Sequence, residues 1–537
     1  MKKLLLAFSA LLGLVVCGSP LQAEAAMQAP TNSEPVSFYD KVIKMRFNVI
    51  DEDAATIAVA KRKTGDAGFL ESLYYEGDIA LPNKVEYNDK TYRVVAIADS
   101  AFYNCKDLTS ITFNKGLETI GKNAFDFCTS LDDDIRLSGN IKEIGYLAFN
   151  NCVKLASINI GKQVTTIDDG AFAKTGCPVT LDADNPNFMQ TDFIIFQPKE
   201  GRLIYIDPQA TTLQMPANIS IIGDYAAANC KKLETLNLHE GIKKIGYQAF
   251  VACYGLSSVE LPASLEEIGE AAFKYTIRLQ SIKIAEGNTH FKVENKALLT
   301  ADGKQLLAYP TALQEDEVKI PEGVEVIGEG TFASTVIKKV TFPESLKEVG
   351  ASAFHQCVNL TEVNLPDATK KIGTQAFALC EKIRKLHVGP NLEEIGKYCF
   401  FMDTALVQLY FNRKTPPYIP YTLMGCFSAE SEKNGTLYVP FGALNAYKSN
   451  VEYNEFKNIV EHDFTSASLV QQDAPFAVSV ANGELSIAVS APSAITIFTL
   501  DGANVWQAVV NATETVSLPA GSYIIKSENS SKKVVVY

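Results

Sequence analysis

The 537 residues predict a mainly β fold: a solenoid with β-rich caps, two β-hairpin insertions and a C-terminal β-sandwich. Three observations carry this. A twelve-residue phrase recurs along the chain, as IGKNAFDFCTSL at 120–131, IGYQAFVACYGL at 245–256 and IGTQAFALCEKI at 372–383. Two spacings between copies, 55 and 59 residues, are about two and a half times the usual step and resemble each other. Beyond residue 475 the phrase is replaced by short alternating strands.

The second position of the Ala-Phe pair falls at Phe102, Phe125, Phe149, Phe172, Ala227, Phe250, Phe273, Phe332, Phe354, Phe377 and Phe400. Most steps are 22 to 24 residues, and the exceptions are 55 and 59. A fixed period of this size is the mark of a solenoid, in which each coil buries its apolar face against its neighbours. Within a unit such as Leu256 to Gly269, the alternation at Val259 and Leu261 is that of a strand with one buried face. The Gly of the Ile-Gly pair is expected to take a positive φ where the coil turns, with Asp168 and Ala98 as the departures. The Phe column is expected to form a buried spine.

Cys105, Cys128, Cys152, Cys230, Cys253, Cys357 and Cys380 follow the period, and Thr175, Thr276, Thr335 or Asp403 take the same place elsewhere. A position that accepts Cys, Thr or Asp calls for a small hydrogen-bonding side chain, so buried free thiols are expected rather than disulfides. No unit places two ligands at zinc spacing, and no metal site is expected. With the I-G-x-x-A-F-x-x-C signature on the page, the chain resembles leucine-rich repeat proteins of the BspA-like class. The resemblance covers about residues 95–411.

The elements follow in order. Lys2-Lys3, an apolar run from Leu4 to Val16 and small residues around Ala23 to Ala25 read as a signal peptide over 1–25. Leu14 to Cys17 resembles a lipoprotein box, but Val16 is bulky where a small residue is expected. Residues 26–94 read as a β-rich N-terminal cap. The solenoid spans 95–411, with hairpin insertions near 182–215 and 285–320, the second turning at Asp302-Gly303. Residues 412–463 read as a C-terminal cap and 464–475 as a linker. Strands over 476–537, with turns at Asp501-Gly502 and Pro519 to Gly521, form the sandwich. Through Gly502, Leu518, Gly521, Tyr523, Lys532 and Lys533 this module resembles the sorting domain of the type IX secretion pathway. The resemblance implies recognition by secretion machinery and a place outside the cell, or on its outer surface, in a Gram-negative bacterium.

A net charge of −13 disfavours nucleic acid and anionic lipid as partners. No apolar stretch beyond the leader is long enough to span a membrane in the mature chain. The five histidines show no H-E-x-x-H spacing, and there is no G-x-S-x-G elbow or phosphate-binding loop. No catalytic residue and no cofactor are expected, and the acidic run Asp132 to Asp134 lacks the spacing of a calcium loop.

The expected activity is therefore binding. Each coil adds a strand ~4.8 Å from the last, so outward residues repeat along a long face. Early coils present mostly Ser, Thr and Asn. From Lys339 onward larger groups appear, and the candidate contact residues are Lys339, Glu362, Asn364, Lys385, His387, Gln408 and Tyr410. The BspA-like resemblance implies adhesion to host matrix protein or to other cells. The alternative is a glycan-binding or surface-layer protein, which an aromatic platform would favour; Tyr410 alone is not one.

Overall fold

A computed structural model describes residues 36–63, 74–420, 425–464, 476–481, 484–489, 492–499, 502–519, 521–527 and 531–536. The leader, Cys17, Asp501 and all of the expected linker except Phe464 lie outside the described residues. The chain is a mainly β solenoid, as the period predicts. It divides into two compact units. The first holds residues up to 316 with 323–336 and 350–357; the second holds 317–322, 337–349 and 358–537.

The first unit begins with an antiparallel meander, Ser37–Asp40, Met45–Asp51 and Thr56–Ala60, whose last strand pairs in parallel with Lys90–Ile97. From there the Ile-Gly segments form a ladder of two-residue strands, Thr119–Ile120, Glu143–Ile144 and Thr166–Ile167. The first insertion repeats this opening. Met189–Thr191, Ile194–Gln197 and Arg202–Ile206 are an antiparallel meander that starts a new ladder at Ile221–Ile222. The second insertion does so again, with Phe291–Glu294, Ala297–Thr300 and Gln305–Ala308 leading to Val326–Ile327. Its second turn lies at Asp302-Gly303, where Gly303 has φ +74°. Each insertion is thus a hairpin plus a return strand that re-initiates the ladder.

The coil turns overturn one expectation. The glycines of the Ile-Gly pairs do not carry the positive φ. In every unit it falls two residues before the phenylalanine position and two after it: Asn123 and Phe127, Leu147 and Asn151, Gln248 and Ala252, Gln375 and Leu379. A non-glycine residue in this region costs about 1 kcal/mol or more. The return is that alternate N–H groups point at the next coil, as Asn123, Phe125 and Phe127 donate to the carbonyls of Tyr146, Ala148 and Asn150 at 2.7 to 3.0 Å. The glycine has a different reason. A Cβ on Gly145 would lie 2.7 Å from the Lys122 nitrogen, and one on Gly396 2.3 Å from that of Thr374. Close approach of successive backbones excludes a side chain there. Ala98, in the first unit, instead donates its N–H to Val59 of the cap meander.

The aromatic spine is present and longer than its consensus. In the first unit, stacked rings run from Phe102 through Phe125 and Phe149 to Phe172, with Tyr75 before Phe102 and Tyr205 beyond Phe172. Phe250 stacks on Phe273, and Tyr309 leads into Phe332 and Phe354. The second unit holds Phe377, Phe400 and Phe427 at 5.5 and 5.6 Å. Tyr205 and Tyr309, from the insertion segments GRLIYIDP and GKQLLAYP, are spine residues.

All ten described cysteines are buried thiols outside any disulfide. Cys128, Cys152, Cys253 and Cys357 each donate S–H to the carbonyl at the phenylalanine position of the preceding coil at 3.0 to 3.2 Å. Thr276 bonds the Phe273 carbonyl at 2.6 Å, and the Asp403 carboxylate accepts the Cys380 N–H at 2.7 Å. The position is a small polar plug for backbone groups.

The C-terminal module has seven strands in two sheets. Phe476–Ala481, Glu484–Val489 and Thr513–Ser517 form one; Asn504–Val510, Ser493–Thr499, Gly521–Lys526 and Ser531–Val536 form the other. Its own core contains Phe476, Leu485, Ile487, Ile495, Ile497, Val510, Val516, Tyr523 and Ile525.

Candidate functional site: an aromatic ridge on the strand face

In the second unit the outward face rests on five parallel strands: β1 (Glu362–Asn364), β2 (Lys385–Val388), β3 (Gln408–Phe411), β4 (Thr436–Pro440) and β5 (Asn458–His462). Alternation fixes which way each residue points. Val363, Leu386, Leu409, Leu437 and Ile459 form the buried column. Two outward columns flank it in exact register. One runs Glu362, Lys385, Gln408, Thr436, Asn458, and the other Asn364, His387, Tyr410, Tyr438, Val460. The sheet therefore continues two strands into the segment read as a cap, where helices α1 (Ala429–Asn434) and α2 (Leu444–Lys448) replace the usual turns.

The second column is an aromatic stack. His387 and Tyr410 are parallel with centroids 4.3 Å apart, and Tyr410 and Tyr438 lie 4.4 Å apart at 8°. His462 meets both tyrosines edge-on at 5.5 Å, and Phe464 packs edge-on against His462 at 4.8 Å. The Lys385 ammonium sits 5.5 Å from the Tyr410 ring, within cation–π range. Burial, aided by the nearby charges of Lys385 and His462, holds the His387 imidazole down to about pKa 4, so this ring is neutral at physiological pH. Burial and then its neighbour Tyr438 push the Tyr410 phenol up.

The stack is a ridge rather than a platform. The facing surfaces of His387, Tyr410 and Tyr438 cover one another, so both faces of the Tyr410 ring are occupied, and the two tyrosines remain partly exposed. Sugar recognition by aromatic side chains uses an open ring face, which the middle of this stack does not offer.

Six of the seven sequence-derived candidates share this sheet. Lys339 does not: its strand Lys339–Thr341 pairs with Glu317–Lys319, and its Nζ lies 3.0 Å from the Glu317 carboxylate. That ion pair holds the Glu317 carboxyl below its usual range and neutralises the lysine as a free charge. Tyr438, His462 and Phe464 were missed because they follow no repeat signature. The signal was available in the Leu-Tyr-Val alternation at 437–439, which matches Leu409-Tyr410-Phe411.

In the C-terminal module, Gly502 takes φ +91° in the turn after Thr499, to whose carbonyl it donates at 3.0 Å. Tyr523 is buried and donates to the Pro519 carbonyl at 2.8 Å, and Leu518 packs on the same core. Gly521 opens its strand, while Lys532 and Lys533 stand opposite Ile525 and Ile524 in the last strand pair.

Among the described residues no group of three or more His, Cys, Asp or Glu could hold a metal ion, and no helix is long and apolar enough to cross a membrane. A repeated coil with a parallel strand face and a one-ring-per-coil interior defines a leucine-rich repeat protein. More narrowly, the chain belongs to the BspA type leucine-rich repeat family, whose model matches residues 83–181, 205–297 and 309–428. The three matched stretches correspond to the runs of coils set apart by the two insertions. No curated protein sequence matches the chain.

Among solved structures, it is similar to a leucine-rich cell surface protein of Faecalibacterium prausnitzii, at 22% identity over 81% of this chain and 97% of that one, with a TM-score of 0.40. A leucine-rich repeat protein of Bacteroides ovatus is 21% identical over 78% and 98% of the two chains, with a TM-score of 0.30. The pneumococcal vaccine antigen PcpA is 16% identical over 80% and 100%, with a TM-score of 0.33.

Proposed function

We propose that the protein is a secreted or surface-attached adhesion protein, and that it binds a protein partner, in host matrix or on another cell, through the strand face of its last coils. The observation that carries this is the stack His387–Tyr410–Tyr438 with His462 and Phe464 against it. Stacked, partly exposed tyrosines supply contact area at little entropic cost, which is why they anchor protein interfaces. Membership of a family typical of cell surfaces supports the setting. The proposed route is cleavage of the 1–25 leader and then recognition of residues 476–537 by type IX secretion machinery.

Binding of the purified protein to immobilised matrix proteins, with Tyr410→Ala/Tyr438→Ala beside it, tests the site. Loss of an aromatic anchor of about 2 kcal/mol weakens binding roughly thirtyfold. Undiminished binding by the double variant would remove this face. Binding to a glycan array that the same variant abolishes would replace the protein partner with the glycan alternative.

A further inference from the structure

We propose that Lys274 and Gln248 become joined by an autocatalytic amide bond, with Glu329 moving the protons, so that two neighbouring coils are covalently stapled.

The three residues come from the coils of Phe250, Phe273 and Phe332 and meet on the turn side of the first unit, away from the strand face. One carboxylate oxygen holds both nitrogens: Glu329 Oε1 lies 3.3 Å from Lys274 Nζ and 3.4 Å from Gln248 Nε2. Tyr247 donates its hydroxyl to the same carboxylate at 3.1 Å and accepts Gln248 Nε2 at 2.8 Å. All three reacting groups are more than nine-tenths buried. Around them lie Tyr225, Val251, Ala252, Tyr275 and Ala333 in one cluster, with two further buried polar groups against the tyrosines: Lys174, whose Nζ is 5.3 Å from the Tyr225 ring, and His355, whose Nδ1 is 3.0 Å from the Tyr275 hydroxyl. Gly330 leaves the space that the lysine chain fills, since a Cβ there would lie 2.5 Å from Lys274 Cδ.

The cluster holds an amine, a carboxamide and a carboxylate that can carry protons between them. The first step is proton transfer from Nζ to Glu329 across the buried ion pair, which leaves a neutral amine and a neutral acid. The amine lone pair then attacks Cδ of Gln248, forming the new C–N bond. Glu329 protonates the departing Nε2 as the old C–N bond breaks, and takes up a second Nζ proton. Of the three protons on Nζ, one stays in the new amide, one leaves on ammonia and one remains on Glu329. No oxidant or cofactor enters, and escape of ammonia makes the step irreversible. Holding the nucleophile and the amide on one oxygen supplies the high effective concentration that an uncatalysed lysine lacks.

The test is peptide mass analysis of the denatured full-length protein. Trypsin cuts after Lys244, and the next site is Lys274 itself. A linked protein gives the 245–278 peptide, uncut at Lys274 and lighter by one ammonia. Cleavage of that peptide after glutamate then gives the segments 245–260 and 271–278 joined to each other. Glu329→Gln, which keeps the shape but cannot take a proton, is expected to give the ordinary 245–274 peptide. If the wild-type protein itself gives 245–274 at its sequence mass, the bond does not form and the proposal is overturned. A link that persists in Glu329→Gln would overturn the role of the carboxylate.

Discussion

Asp126 shows how much a single buried residue can decide. It is 4% exposed, and its carboxylate accepts Asn123 Nδ2 at 3.1 Å and Asn150 Nδ2 at 2.8 Å. Desolvation outweighs these bonds and raises its pKa to about 7. A raised carboxyl pKa means that the folded state binds the extra proton. Stability from this group is complete below the unfolded pKa near 4 and is lost as pH rises toward 7, by up to about 4 kcal/mol. Asp126→Asn should therefore melt higher than wild type at pH 8 and converge with it near pH 4, as read by thermal unfolding at both pH values. An equal gap at both would show that the carboxyl is not titrating. The cysteines make a second case. Burial pushes Cys253 and Cys426 up to about 12, so neither is a thiolate at neutral pH. A maleimide should label the native coils only after denaturation, and rapid native labelling would show that the coils open. The period alone pointed to buried thiols, because Cys alternates with Thr and Asp. It could not indicate Asp126, which occupies a position that is Tyr, Asn, Ala, Val, Lys, His or Phe in other coils.

At the scale of the element, the coil is held by two features with different physics. The spine is hydrophobic, and Phe354→Ala, fully buried between coils, should cost about 3–5 kcal/mol. The Ile-Gly turn is steric. Gly396→Ala adds one methyl group at 2.3 Å from a backbone nitrogen, so the coil must shift and stability should fall by about 1–3 kcal/mol. A neutral Gly396→Ala in denaturant unfolding would show that close backbone approach is not what excludes a side chain there. Sequence reading found the strand, the spine and both hairpins because each repeats a hydrophobic period. It misassigned the positive φ because residues as different as Asn123, Leu147 and Tyr225 adopt it. There the inter-coil hydrogen bonds override local preference, and composition carries no trace. The same limit hid Tyr438, which joins the ridge by its register with Tyr410, and His462, which lies opposite Pro440 and meets the ridge edge-on.

For the whole molecule, the open matter is whether residues 476–537 serve the coils or the journey. The seven strands close on a nine-residue core of their own, with Leu485, Ile487, Ile495, Ile497 and Ile525 fully buried. A module that buries its own apolar surface should not be needed for the coils to fold. Removing it should leave the thermal unfolding of the repeat region, followed by the tyrosine signal of the buried spine, unchanged within a degree or two. Its effect should appear in location instead. Expressed in a host that carries type IX machinery, the full chain should reach the outer surface, and the chain ending at 475 should stay in the periplasm with its coils intact. Unchanged surface delivery of the shortened chain would leave the module as an ordinary sandwich. Loss of the coils' folded signal would give it a structural role. Only a shift in location at constant stability makes it an address, and only an exported strand face can meet a partner on another cell.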